Sequence, residues 1–183
     1  MKIQRIVRTL PSHAYKGNMI SALVIALISI LPLYAQASPT HLMAQGWQAF
    51  QQGAFVRAAS HWEQAAQSYA KLGDARAQSL ALTQLSQAYQ ALGHDNKALV
   101  SLVQSLDLAQ QAKDQKQVVS VLGYIGNVHI ALGNLQDAST WLQRGLKAAE
   151  ALEDKMLMAN ITHYLGNLSS AQKKPADALH HYR

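Results

Sequence analysis

Residues 89–99 read YQALGHDNKAL and residues 129–139 read HIALGNLQDAS, so one pattern of residue types returns after forty positions. A repeat of that length limits the fold to an array of one supersecondary unit, because a single unit cannot bury its apolar face alone and needs a neighbour stacked on it. Laid against itself at an offset of forty, the chain keeps one physical type in many columns. Ala58, Ala98, Ala138 and Ala178 share a column, as do Gly53, Gly93 and Gly133. Gly46, Ser86, Gly126 and Gly166 form a third, of small residues, and Asp74, Asp114 and Asp154 a fourth.

Each column has a task in a hairpin of two antiparallel helices. The Gly53, Gly93 and Gly133 column supplies a left-handed residue that ends the first helix, after which Asp95 and Asn96 are expected to cap the second. The Asp74, Asp114 and Asp154 column is expected to cap the first helix of the next unit, where a carboxylate meets free amides and the positive end of the helix. Alanines let two axes approach within the usual 8–10 Å or so. Trp62, Leu102, Leu142 and Tyr182, four residues after the alanines, are expected to fill the seams, with Leu85, Ile125 and Leu165 opposite. Scarce Gly (10) and Pro (4) agree with long helices. The fold expected is all-α.

These residues resemble the tetratricopeptide repeat family. Ser86, Tyr89, Gly93, Ala98, Leu102 and Ser105 follow its order of small, aromatic, turn, small, large and small residues. Gly46, Gly53, Phe55, Ala58, Trp62 and Ala65 repeat it, as do Gly126, Gly133, Ala138, Leu142 and Gly145. The period exceeds the commoner 34 residues. It is similar to the repeats of kinesin light chains and of bacterial proteins that carry such repeats ahead of a CHAT peptidase-like domain. The resemblance implies a right-handed α-solenoid of antiparallel helix pairs over 38–183, with units near 39–78, 79–118 and 119–158 and an incomplete one at 159–183. The early stop after Tyr182 implies the N-terminal part of a longer protein, or an end closed by self-association into a homo-oligomer.

Residues 1–37 are of another kind. Lys2, Arg5, Arg8 and Lys16 precede the apolar run MISALVIALISILPL at 19–33, and Ala35-Gln36-Ala37 follows, the outline of a signal peptide cleaved after Ala37. The run is shorter than the roughly 20 apolar residues of a bilayer span and Pro32 interrupts it, so no stable membrane span is expected after cleavage. Retention as an N-terminal anchor is the alternative. The formal charge of +6 comes largely from this segment: of 16 basic residues it takes four, leaving 12 against 10 acidic, or +2. A chain so balanced has no phosphate-tracking stripe, so nucleic acid is not an expected partner. Absence of cysteine excludes disulfides and thiolate chemistry. Export to a periplasmic or secreted location is the expectation.

Family analogy places ligands on the concave face lined by the first helix of each hairpin. It points Ala44, Gln84, Tyr124 and Tyr164 inward at one level and Trp47, Gln87, Asn127 and Asn167 at the next, flanked by Met43, Thr83 and His163. Asn127 and Asn167 recur in YIGN and YLGN, and amides both donate to and accept from an extended backbone. By resemblance to kinesin-light-chain repeats they grip a protein or peptide ligand, with Tyr124 and Tyr164 adding apolar area and a hydroxyl. Gln51, Ala91, Ala131 and Ala171 stand where a clamp for carboxylate-terminated peptides needs basic residues, which argues against that ligand.

Eight histidines are spread too widely to suggest a metal site; His180 and His181 are adjacent and diverge on a helix. His129, in the column of Tyr89, reads as a packing residue, and His41, His61 and His94 as exposed. No Ser, His and Asp set or Gly-rich loop after a strand is present, so neither catalysis nor a cofactor is expected. The sequence points to an exported scaffold for a protein or peptide; self-association through the open last unit is the second reading.

Overall fold

A computed structural model describes residues 38–173 and His181. The leader reading of residues 1–37 and the Ala178 and Tyr182 members of the columns lie outside the described residues. Among the described residues seven helices follow one another: α1 (Pro39–Gln51), α2 (Phe55–Leu72), α3 (Ala75–Ala91), α4 (Asp95–Gln111), α5 (Gln115–Ala131), α6 (Leu135–Ala151) and α7 (Lys155–Ala171). No strand occurs among the described residues. Odd-numbered helices are the first of each pair, even-numbered the second, and each packs on its predecessor to form a helical-repeat solenoid.

Two kinds of turn alternate. In the first, Gly53, Gly93 and Gly133 adopt φ of 72°, 72° and 78°. The next amide bonds back across the turn: Ala54 to the Ala49 carbonyl at 2.9 Å, His94 to Tyr89 at 2.8 Å and Asn134 to His129 at 2.9 Å. Nothing lies within 4 Å of a Cβ built on these glycines, so the backbone angle alone demands them. The second helix then starts one residue earlier than expected for capping. Ala54, His94 and Asn134 hold the cap position, and none makes a side-chain cap bond. Asp95 is already in the first turn of α4, where its charge faces the positive helix end.

The second kind of turn uses the acidic column as expected. Asp74 Oδ1 accepts from the Ala77 amide at 2.9 Å, Asp114 Oδ1 from Gln117 at 3.1 Å, and Asp154 Oδ1 from Met156 at 3.1 Å and Leu157 at 3.2 Å. The other oxygens of Asp114 and Asp154 reach back one repeat: Arg76 Nε lies 2.6 Å from Asp114 Oδ2, and Lys116 Nζ 2.8 Å from Asp154 Oδ2. The hydrogen bond from Lys116, with the Leu157 amide next, holds the Asp154 carboxyl below the ordinary carboxylate range. The left-handed residue here is Gly73, then Lys113 (φ 54°) and Glu153 (φ 52°). Lys173 (φ 60°) fills the glycine column in the last turn.

The seams follow the columns. Ala58, Ala98 and Ala138 occupy equivalent places in successive hairpins and are fully buried, as are Trp62, Leu102 and Leu142. Small residues on the facing helix make room for these large ones. A Cβ at Gly46 would fall inside the Trp62 indole, and one at Gly126 would lie 2.5 Å from Leu142. The indole is satisfied inside the seam, Trp62 Nε1 donating to the Met43 carbonyl at 3.3 Å. Burying a side chain of this size stabilises by roughly 1.5–3 kcal/mol or more.

Equivalent junctions are filled differently. Between α3, α4 and α5 lies a cluster of hydroxyls: the Ser79 and Ser105 oxygens are 2.9 Å apart, Thr83 Oγ1 is 2.8 Å from Ser105 Oγ, and Gln117 Nε2 donates to Thr83 Oγ1 at 2.8 Å. Forty residues on, between α5, α6 and α7, the same positions are Val119, Gly145, Gly123 and Leu157. Ile161, itself 1% exposed, inserts there, its Cδ1 2.7 Å from where a Gly123 Cβ would stand and 2.9 Å from one on Gly145.

Candidate functional site

The odd-numbered helices place the expected ligand-facing positions in rungs. Tyr124 and Tyr164 come together, their ring centroids 6.1 Å apart at 55°, and His163 stands edge-on to Tyr164 at 5.8 Å. Burial raises both phenols, Tyr164 to about 12 with the neighbouring Tyr124 as the second cause. Gly123 permits the approach: a Cβ there would lie 3.2 Å from the Tyr164 ring. Beside the pair, α5 and α7 enclose a cavity of about 130 Å³, with Val119, Leu157 and Ile161 at its base and Ser120 and Asn160 at its rim.

Asn127, Asn167 and Gln87 are half-buried on the next turn. Gln84 is half-buried, with Oε1 enclosed and lacking a hydrogen-bond partner. Trp47 is 48% exposed and stacks on Phe50 at 6.0 Å with planes 7° apart, anchoring it to its own helix, not to the tyrosine rung. One flanking position is corrected. Thr83 does not line the face: it is 2% exposed and bonds the Ser79 carbonyl at 3.1 Å as part of the hydroxyl cluster.

The face extends one turn beyond the expected positions. Leu80, Ser120 and Asn160 sit four residues before Gln84, Tyr124 and Tyr164 and share their face, a spacing that would have found them. Before these come Arg76 and Lys116. With Asp74, Asp114, Leu80 and Gln117 they line a second cavity, of about 410 Å³, between α3 and α5. Charged side chains line this second cavity and none of the described ones lines the first, although the Lys116–Asp154 pair stands at the end of the α5–α7 rung as Arg76–Asp114 does at the α3–α5 rung.

Histidines are placed largely as expected. His41 and His94 are exposed, and His129 is half-buried, its Nδ1 3.9 Å from Asp137 Oδ2. His61 departs: it is half-buried on α2, and its Nδ1 is enclosed without a hydrogen-bond partner. No group of three or more metal-ligating side chains gathers among the described residues. None of the described helices is long and apolar enough to cross a membrane.

A two-helix unit returning every forty residues, with capped first helices forming one laterally continuous face, defines a helical-repeat scaffold. The family model described as Tetratricopeptide repeat matches residues 117–183, the stretch that holds α6, α7 and most of α5. Solved structures share the fold. A Rap protein complexed with Competence and Sporulation Factor aligns with a TM-score of 0.70 at 17% identity, over 78% of this chain and 40% of that one. The Rap conjugation gene regulator of the plasmid pLS20, in complex with the Phr* peptide, gives 0.70 at 17% identity over 99% and 46%. BtubC (BKLC) from P. vanneervenii gives 0.68 at 14% identity over 92% and 72%. The chain therefore spans less than half the length of either Rap protein. No curated protein matches it at a significant level.

Proposed function

We propose that the chain is an exported, non-catalytic scaffold that holds an extended peptide or protein segment across the face of its odd-numbered helices. One observation carries this reading: the cavity between α5 and α7 opens beside the Tyr124–Tyr164 pair, one helical turn from the half-buried amide of Asn127. Aromatic rings supply contact area at little conformational cost, and amides satisfy the main chain of any extended segment. The Rap regulator that shares the fold is in complex with a peptide in its structure, which agrees with this use of the architecture. Export is part of the proposal and rests on the basic, apolar and small-residue order of residues 1–37.

A display library of random linear peptides panned against the full chain tests the reading. Replacing Asn127 and Asn167 together by alanine is expected to weaken capture of enriched peptides about tenfold or more, at unchanged helicity, since each main-chain bond contributes about 1 kcal/mol. Unchanged capture rejects the amides as the grip. Intact mass of the exported protein tests cleavage, with Ser38 expected at the new N-terminus.

A further inference from the structure

We propose that the cavity between α5 and α7 is an anchor pocket that selects one uncharged side chain of the bound peptide, aliphatic or no larger than a phenyl ring. The proposal rests on the peptide-binding reading above and adds what the ligand must carry. Volume sets the upper limit. At about 130 Å³ the space is slightly smaller than an apolar cavity of about 150 Å³, which admits benzene. An indole exceeds it.

Chemistry sets the second limit. Val119, Leu157 and Ile161 make the base, and no Asp, Glu, Lys or Arg lines the cavity. Ser120 Oγ donates to the Lys116 carbonyl at 3.1 Å. Tyr164, raised to about 12, stays a neutral phenol at physiological pH. A charged side chain entering here would leave water with no counter-ion, at a cost far above what an apolar one meets.

The preceding repeat provides the contrast that locates the anchor. At its α3–α5 rung, Ser79, Gln117 and Gln84 stand where Val119, Leu157 and Tyr124 stand here; the Arg76–Asp114 pair there has its counterpart in Lys116–Asp154 here, so the two rungs differ in these inner positions and not in the ion pair at their end. Polar or charged residues of a ligand are accommodated there. The ligand therefore carries an apolar anchor at the α5–α7 rung.

The test uses the same random-peptide library and the full chain. Enriched peptides are expected to share one Val, Leu, Ile, Met or Phe, and changing that residue to Asp is expected to lower affinity at least about tenfold. Asn160→Trp, on the exposed rim, is expected to close the mouth and cause a similar loss, and the two losses are expected not to add, since both remove one contact. Ser120→Leu, which borrows the residue standing at Leu80, is the second blocking variant should N160W disturb helicity. Enriched peptides that lack a common apolar residue, or that bind both blocked variants unchanged, overturn the pocket while leaving peptide binding intact. A library that yields no enriched peptide overturns both.

Discussion

The junction of α3, α4 and α5 and the junction of α5, α6 and α7 occupy the same place in successive repeats, yet their interiors have opposite chemistry. The first is a closed hydroxyl network, Ser79, Thr83 and Ser105 with the Gln117 amide. The second is apolar and stripped to glycine at Gly123 and Gly145 so that Ile161 can enter. A repeat frame set by alanine and aspartate columns tolerates either filling, provided each is complete: every hydroxyl partnered, or every gap filled. The choice has a consequence outside the core. The glycine junction lets Tyr164 approach α5 and shapes the apolar cavity, whereas at the hydroxyl junction Gln117 helps line a cavity bordered by charge.

The largest effect that would break the comparison is at Ile161. Ile161→Ala leaves a void between two glycines that cannot fill it, and is expected to cost about 2–5 kcal/mol, read from the urea midpoint. Thr83→Val at the other junction is expected to cost about 1–3 kcal/mol, because Ser105 and Gln117 lose a buried partner. A neutral result would show that the hydroxyls fill space and little else. Gly93→Ala, at a left-handed position with open space around it, is expected to cost about 1 kcal/mol, and Lys113→Gly, in the other kind of turn, to gain somewhat less than that.

The smallest effect is seen only at high pH and reports on the tyrosine rung. Tyr164 has a raised folded-state pKa, so the stability linked to its neutral form is fully present below the unfolded value near 10 and is lost as pH rises toward about 12. Thermal melts between those values are expected to fall more steeply for the parent than for Tyr164→Phe. Equal slopes would place the ring in solvent.

The period was legible because columns that repeat report the backbone frame itself: Ala58, Ala98 and Ala138 are buried alike, and the Asp74, Asp114 and Asp154 carboxylates cap alike. What varies between repeats was not legible. Thr83 reads as a flanking residue of the face, since nothing local reveals that Ser105 and Gln117 converge on it. Lys113, Glu153 and Lys173 carry no mark of a left-handed backbone, because tertiary packing imposes the angle on an ordinary residue. The cap expected at Asp95 fell one residue late because the helix starts at Asp95 itself, which puts His94 in the cap position with no side-chain cap bond. Of the candidate site, the tyrosine and amide positions come from the family resemblance; the cavity and its rim at Ser120 and Asn160 depend on how near α7 comes to α5.

Two of the cap carboxylates also clasp the preceding repeat, through Arg76 to Asp114 and through Lys116 to Asp154. A pull on the C-terminal end that lifts α7 away therefore releases Lys116 but leaves α5 still clasped to α3 through Asp114. The stack is built to peel like a zip, one tooth at a time, with the hydroxyl junction still closed after the glycine junction has opened.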